Sequence, residues 1–183
     1  MATDPIRRSA ARIATLVAVP VAILVALVSL LLYGGFGRHE PAPPAAAATG
    51  PVTMDAPALA AEAVPVCQEV VAHLPETIAG KARRPVTAGP EQNAAYGDPP
   101  ITLACGTPMP TFPPTDDVFM LSGVCWHAVP GNDMTTWTTV DRVVPVTVTV
   151  PGPSSGSAQS VVPFSPAVGA NDPRPPTVPS GCT

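Results

Sequence analysis

Lysine is nearly missing from this chain: Lys81 is the only one, beside eight arginines. With alanine, proline and valine abundant, that bias reflects a GC-rich genome and says nothing of mechanism. Aromatic residues make up only 4% of the sequence, so large core-filling side chains are scarce and one modest core is expected. The nucleophile elbow G-x-S-x-G, the zinc motif H-E-x-x-H, the P-loop and G-x-G-x-x-G are all absent, so no motif proposes an enzyme or a cofactor. Ser154-Ser155-Gly156-Ser157 is a low-complexity run. No C-x-x-C occurs either: the four cysteines, Cys67, Cys105, Cys125 and Cys182, lie 38, 20 and 57 residues apart. Zinc sites bring ligands in close local pairs, so no metal site is expected. The three histidines, His39, His73 and His127, stand singly. The chain after Tyr33 carries six basic and twelve acidic residues, an acid surplus that excludes an electrostatic footprint for nucleic acid.

One stretch lacks charge altogether. Ile13 to Tyr33 is 21 residues long, and leucine, isoleucine and valine fill 13 of them. At about 1.5 Å per residue a helix of that length spans the roughly 30 Å hydrocarbon core of a bilayer. It is expected to be a transmembrane helix that meets membrane lipid. Arg7, Arg8 and Arg12 precede it and only Arg38 follows closely, which places residues 1–12 in the cytoplasm and the rest outside, at the cell membrane in a single pass. A cleaved signal peptide is the main alternative, since Gly35-Phe36-Gly37 loosely imitates a cleavage site. Residues 34–54 are rich in proline and alanine, lack any hydrophobic period and read as a linker, with His39 solvated in it.

The expected extracytoplasmic domain covers residues 55–150. Asp55 to Leu74 reads as helix with an interruption at Pro65; Cys67, Val70, Val71 and Leu74 recur on one face and His73 lies opposite. Lys81, Arg83 and Arg84 form the only positive cluster, read as a solvated loop. After the turn Tyr96-Gly97-Asp98-Pro99-Pro100, residues Ile101 to Cys105 alternate as a strand. Phe119 to Val129 predicts one strand, with Trp126 and Ala128 on one face and Cys125, His127 and Val129 on the other. Thr135 to Val140 and Val144 to Val150 complete a meander, and Pro145 suggests an edge. The expectation is an α+β domain, with one helix packed on a mainly antiparallel sheet of about four strands. Residues 151–183 hold eight prolines and read as a loose tail held by Cys182. The pair Asp116-Asp117 reads as solvated.

Even in number and on the side expected to be oxidising, the cysteines point to structural disulfides. Three connectivities exist. Cys67–Cys105 with Cys125–Cys182 is preferred, because the first would staple helix to strand and the second would hold down the tail. Each closure contributes roughly 4 kcal/mol in the chain-entropy model. The rival chemistry is a thiol at Cys125 with His127 as a base on the same strand face.

The order CQEVVAHLPETIAG, RRPV, AAYGDPPITLACG, SGVCW, Asp141-Arg142 and VPVTVTVP, over about Val66 to Pro166, resembles one actinobacterial family. That family comprises membrane-anchored proteins with a domain of unknown function, number thirty-five fifteen. The resemblance implies a cell-envelope setting and no catalytic residue. It supports the Cys67–Cys105 pair, since both match its motif positions, and leaves Cys125–Cys182 to elimination. Together these features lead to an envelope protein of unknown activity, binding or scaffolding an envelope protein partner. The alternative is an envelope enzyme or thiol-redox factor that uses Cys125 and His127.

Overall fold

The structure, a computed structural model, describes residues 20–29 and 49–182. The chain divides into two compact units, residues 1–45 and 46–183. Of the first, residues 20–29 are helical. Among the described residues no helix is long and apolar enough to cross a membrane. The transmembrane helix expected over Ile13–Tyr33 is thus not found, and its flanks, with His39, lie outside the described residues.

The second unit holds one antiparallel sheet of eight strands, not about four. These are β1 (Thr77–Ile78), β2 (Lys81–Arg84), β3 (Asn93–Tyr96), β4 (Ile101–Cys105), β5 (Val118–Leu121), β6 (Val124–Pro130), β7 (Met134–Thr139) and β8 (Val146–Pro151). Their order is β1-β2-β3-β4-β8-β7-β6-β5. Two four-stranded meanders therefore meet where β4 pairs with β8, which puts β8 inside the sheet and not at an edge.

The extra strands arise where alternation is missing. β3 reads NAAY and is buried on both faces, so it carries no polar side to betray it. β2 reads KARR, and its cations end on backbone oxygens. Arg84 donates to Gly50 O at 2.7 Å and Gly97 O at 2.7 Å, and Arg83 donates to Val71 O at 3.3 Å. The basic cluster is a set of struts between segments. The strand expected over Phe119–Val129 is folded in two at Ser122-Gly123, where φ is 47° and 82°. Positive φ at both central residues matches the right-handed twist of a two-residue hairpin.

Register assigns the faces. Ala94, Leu103, Val148, Trp137 and Ala128 stand opposite one another across β3, β4, β8, β7 and β6. This apolar face is covered from two sides. The helix Ala63–Ala72 lays Cys67, Val70 and Val71 onto it, with Pro65 in its first turn. Helices Ser157–Val161 and Ser165–Asn171, joined by a short 3-10 turn at Val162–Phe164, supply Val161, Phe164 and Val168, each fully buried. The segment expected as a loose tail thus completes the core. Its prolines Pro163 and Pro166 stand in first turns, where a missing N–H costs little. Phe164 meets Tyr96 edge-on at 5.6 Å. Both indoles are secured by serines of these helices: Trp126 Nε1 donates to Ser165 Oγ and Trp137 Nε1 to Ser157 Oγ, each at 3.1 Å.

The opposite face is threonine-rich. Thr102, Thr149, Thr136 and Val129 form one row, and Ala104, Thr147, Thr138, His127 and Val118 the next. Thr147 Oγ1 hydrogen-bonds Thr107 Oγ1 at 2.7 Å and Thr138 Oγ1 at 3.0 Å. Near β5 this face is closed by the 106–117 loop and the chain end, where Cys125, Val140 and Cys182 are buried with Phe112, Val118 and Val178 against them.

Candidate functional site

The structure joins Cys67 to Cys105 and Cys125 to Cys182, each pair with Cα atoms 5.5 Å apart. Among the described residues no cysteine is free. Cys125 and His127 do share a face of β6, but the Cys125 sulfur is bonded and fully buried. The Cys125–His127 arrangement therefore contains no thiol for a base to activate. His73 is exposed and its Nδ1 lies 2.8 Å from Glu69 O, one helical turn back. No group of three or more histidine, cysteine, aspartate or glutamate side chains among the described residues could hold a metal ion.

His127 acquires a different partner. The 106–117 loop folds back over the Cys125 face and brings Asp116 Oδ2 to 3.3 Å from His127 Nε2. Phe112 stacks on the imidazole with ring centroids 4.1 Å apart and planes at 11°. The imidazole is nearly buried while the Asp116 side chain is 42% exposed, so the carboxylate connects the ring to solvent. Asp116 and Asp117 are both exposed, as the sequence suggested, and Asp116 in addition takes His127 as a partner.

Beside this pair opens a cleft of about 590 Å³. Its walls combine Asp116 and Asp117 from the loop, Phe119 from β5, His127 from β6, Trp137 from β7, Ser154 and Ser155 from the turn after β8, and Ser157 from the start of the helix that follows. Phe119, opposite Trp126, and Trp137 belong to the helix-covered face, whereas His127 belongs to the threonine face. β5 is the outermost strand, so the cleft reaches round the free edge of the sheet. Phe119 is 41% exposed and leans edge-on against Trp137 at 5.4 Å. Ser157 donates to Ser154 O at 2.8 Å while accepting the Trp137 indole N–H, so its hydroxyl is committed and is not a poised nucleophile. Two buried atoms of the lining residues, Thr135 Oγ1 and His127 Nδ1, have no hydrogen-bonding partner among the described residues.

Residues 17–177 match the model of a family described as "Protein of unknown function (DUF3515)". The chain belongs to this family. Neither a curated protein nor a solved structure matches it. The description of DUF3515 assigns no activity, so no functional residue is inherited from it.

A buried ionic knot holds the strand that carries His127. Asp141 is fully buried; its Oδ1 accepts the Cys125 N–H at 2.9 Å, and its Oδ2 faces Arg142 Nη1 at 3.1 Å and Arg174 Nε at 3.2 Å. Arg142 Nη2 donates to Gly123 O at 2.8 Å, pinning the β5–β6 hairpin. Burial draws the Arg142 guanidinium below its ordinary range, and Asp141 opposes that shift. Asp172 accepts the Val144 N–H at 3.2 Å, and burial pushes its carboxyl up from 3.8 to about 6 against that bond and the Arg142 charge. Asp141-Arg142, noted in the sequence only as a motif, is a structural hub between the hairpin, the turn before β8 and the chain end.

Proposed function

We propose that this protein is a binding or scaffolding module of the cell envelope, working outside the membrane through the cleft at the β5 edge. The cleft supports this reading: it joins exposed aromatic surface to convergent polar groups, the usual character of a ligand site. Of its three serines Ser157 is tied up in structural hydrogen bonds, no hydrogen bond joins Ser154 or Ser155 to His127, and the Cys125 sulfur is in a disulfide, so binding fits better than nucleophilic chemistry. Two buried disulfides suit an oxidising compartment. Attachment to the membrane, with residues 1–12 inside and the domain outside, rests on the uncharged run 13–33 and the arginines ahead of it. An envelope protein partner belongs to the same proposal.

A photo-cross-linking residue at Phe119, compared with one at exposed Glu62, tests the reading in intact cells. An envelope component should be captured from position 119 and not from 62. Equal labelling from both positions would refute the cleft as the binding site. Protease added to spheroplasts should degrade the domain; a product starting near Arg38 in the medium would show a cleaved signal instead.

A further inference from the structure

We propose that the cleft takes a neutral, polyhydroxylated ligand, a short stretch of glycan, with Phe119 as its stacking platform and Asp116 and Asp117 as hydrogen-bond acceptors. This rests on the reading of the cleft as the binding site and goes on to name the ligand class.

Charge narrows the choice first. Two carboxylates line the cleft and neither lysine nor arginine does. A phosphate or carboxylate ligand would meet like charge without the cationic fork that normally recognises it. Nucleotides and acidic peptides are disfavoured on that ground.

The polar groups narrow it further. Ionised carboxylates only accept hydrogen bonds, whereas hydroxyls both donate and accept. Asp116 and Asp117 therefore call for donors, and the exposed Ser154 and Ser155 hydroxyls can answer either role. A sugar supplies that mixture, because every hydroxyl on its rim is donor and acceptor at once. An amine would satisfy the carboxylates and the aromatic ring. It would leave the serine hydroxyls facing alkyl chain, with no acceptor for their protons.

The apolar part fits the same ligand. Phe119 offers an exposed ring, and Trp137, itself tied to Ser157, packs against it with centroids 5.4 Å apart and planes at 62°. A ring held this way has little freedom to lose on binding. The C–H face of a pyranose is flat and apolar and lies well against such a ring, leaving its hydroxyl rim directed outward to the polar wall. A volume of about 590 Å³ falls within the range for small-molecule sites and admits a few sugar units, with the open β5 edge letting a longer chain run past.

The test is calorimetric titration of the full chain in detergent against maltotriose, cellotriose, N-acetylchitotriose and an arabinose trisaccharide. Spermidine and glucose 6-phosphate serve as charged probes. At least one neutral oligosaccharide should bind and should perturb indole fluorescence through Trp137. Phe119→Ala and Asp116→Asn should each weaken it tenfold or more, while Gln68→Ala, distant in sequence and outside the cleft, should leave it unchanged. Circular dichroism would show that the variants fold, and Phe119, being exposed, carries the test if Asp116→Asn does not. Binding of spermidine or of the sugar phosphate in preference to every neutral sugar would overturn the inference. So would silence from all four oligosaccharides while a protein is still captured at position 119; that result would leave the cleft as a binding site and remove only the glycan. Silence from the sugars together with loss of that capture would sink both readings.

Discussion

Replacing Asp141 by asparagine should remove a large fraction of the stability of the domain. The side chain is fully buried, and the substitution keeps its shape and one acceptor for the Cys125 N–H. What it takes away is the negative charge between Arg142 at 3.1 Å and Arg174 at 3.2 Å. Arg142 is only 3% exposed and would remain as a cation with carbonyl partners alone. Breaking a buried pair by removing one partner costs about 3–5 kcal/mol. Arg174 is 47% exposed, so its own share is screened and adds no more than about 1 kcal/mol. Against a total of roughly 5–15 kcal/mol, the loss is visible in a urea titration of the full chain with its disulfides intact. A cycle with Arg142→Met isolates the pair: the coupling should exceed about 1 kcal/mol. A loss under about 1 kcal/mol for Asp141→Asn, or a coupling near zero, would show that the carboxylate is not the strut described.

Further outcomes follow from the same contacts. Because burial raises the Asp172 carboxyl to about 6, the folded state holds a proton that the unfolded chain releases near 3.8, so this group's contribution is full in acid and lost as pH rises through about 6. Asp172→Asn should therefore melt higher than wild type at pH 8 and converge with it at pH 4; parallel curves would refute the assignment. Phe164→Ala, at a fully buried ring against Tyr96, should cost about 3–5 kcal/mol in the same urea assay, and a cost below about 1 kcal/mol would mean that the C-terminal helices do not close the core. Loss of Cys67–Cys105 should destabilise the whole domain by about 2–5 kcal/mol, since it joins helix to sheet. Loss of Cys125–Cys182 should instead open residues 174–182 to a protease of broad specificity such as proteinase K while Val161, Phe164 and Val168 stay packed; cleavage within 157–171 at the same rate would contradict that division.

The chain alone determined the local features whose pattern is short-range. Cys67, Val70 and Val71 share a helical face because their spacing follows the helix period, and Leu74, just past the helix end, is buried with them. Val146, Val148 and Val150 alternate with threonines because the strand period is two, and that alternation assigned the core face and the threonine face at once. Tertiary structure decided what depends on distant partners. NAAY and KARR become strands only because β4 on one side and the arginine-accepting carbonyls on the other receive them. The spacing of Val161, Phe164 and Val168 was a helical signal that eight prolines obscured; those in helical turns sit where the backbone tolerates them, and the core had an open face to fill. The cleft was the least legible. Asp116, His127, Trp137 and Ser157 come from a loop, two strands and a helix start, and no sequence period relates them. Only the folding of the 106–117 loop over the Cys125 face, and the return of the chain after β8, brings their side chains to one place.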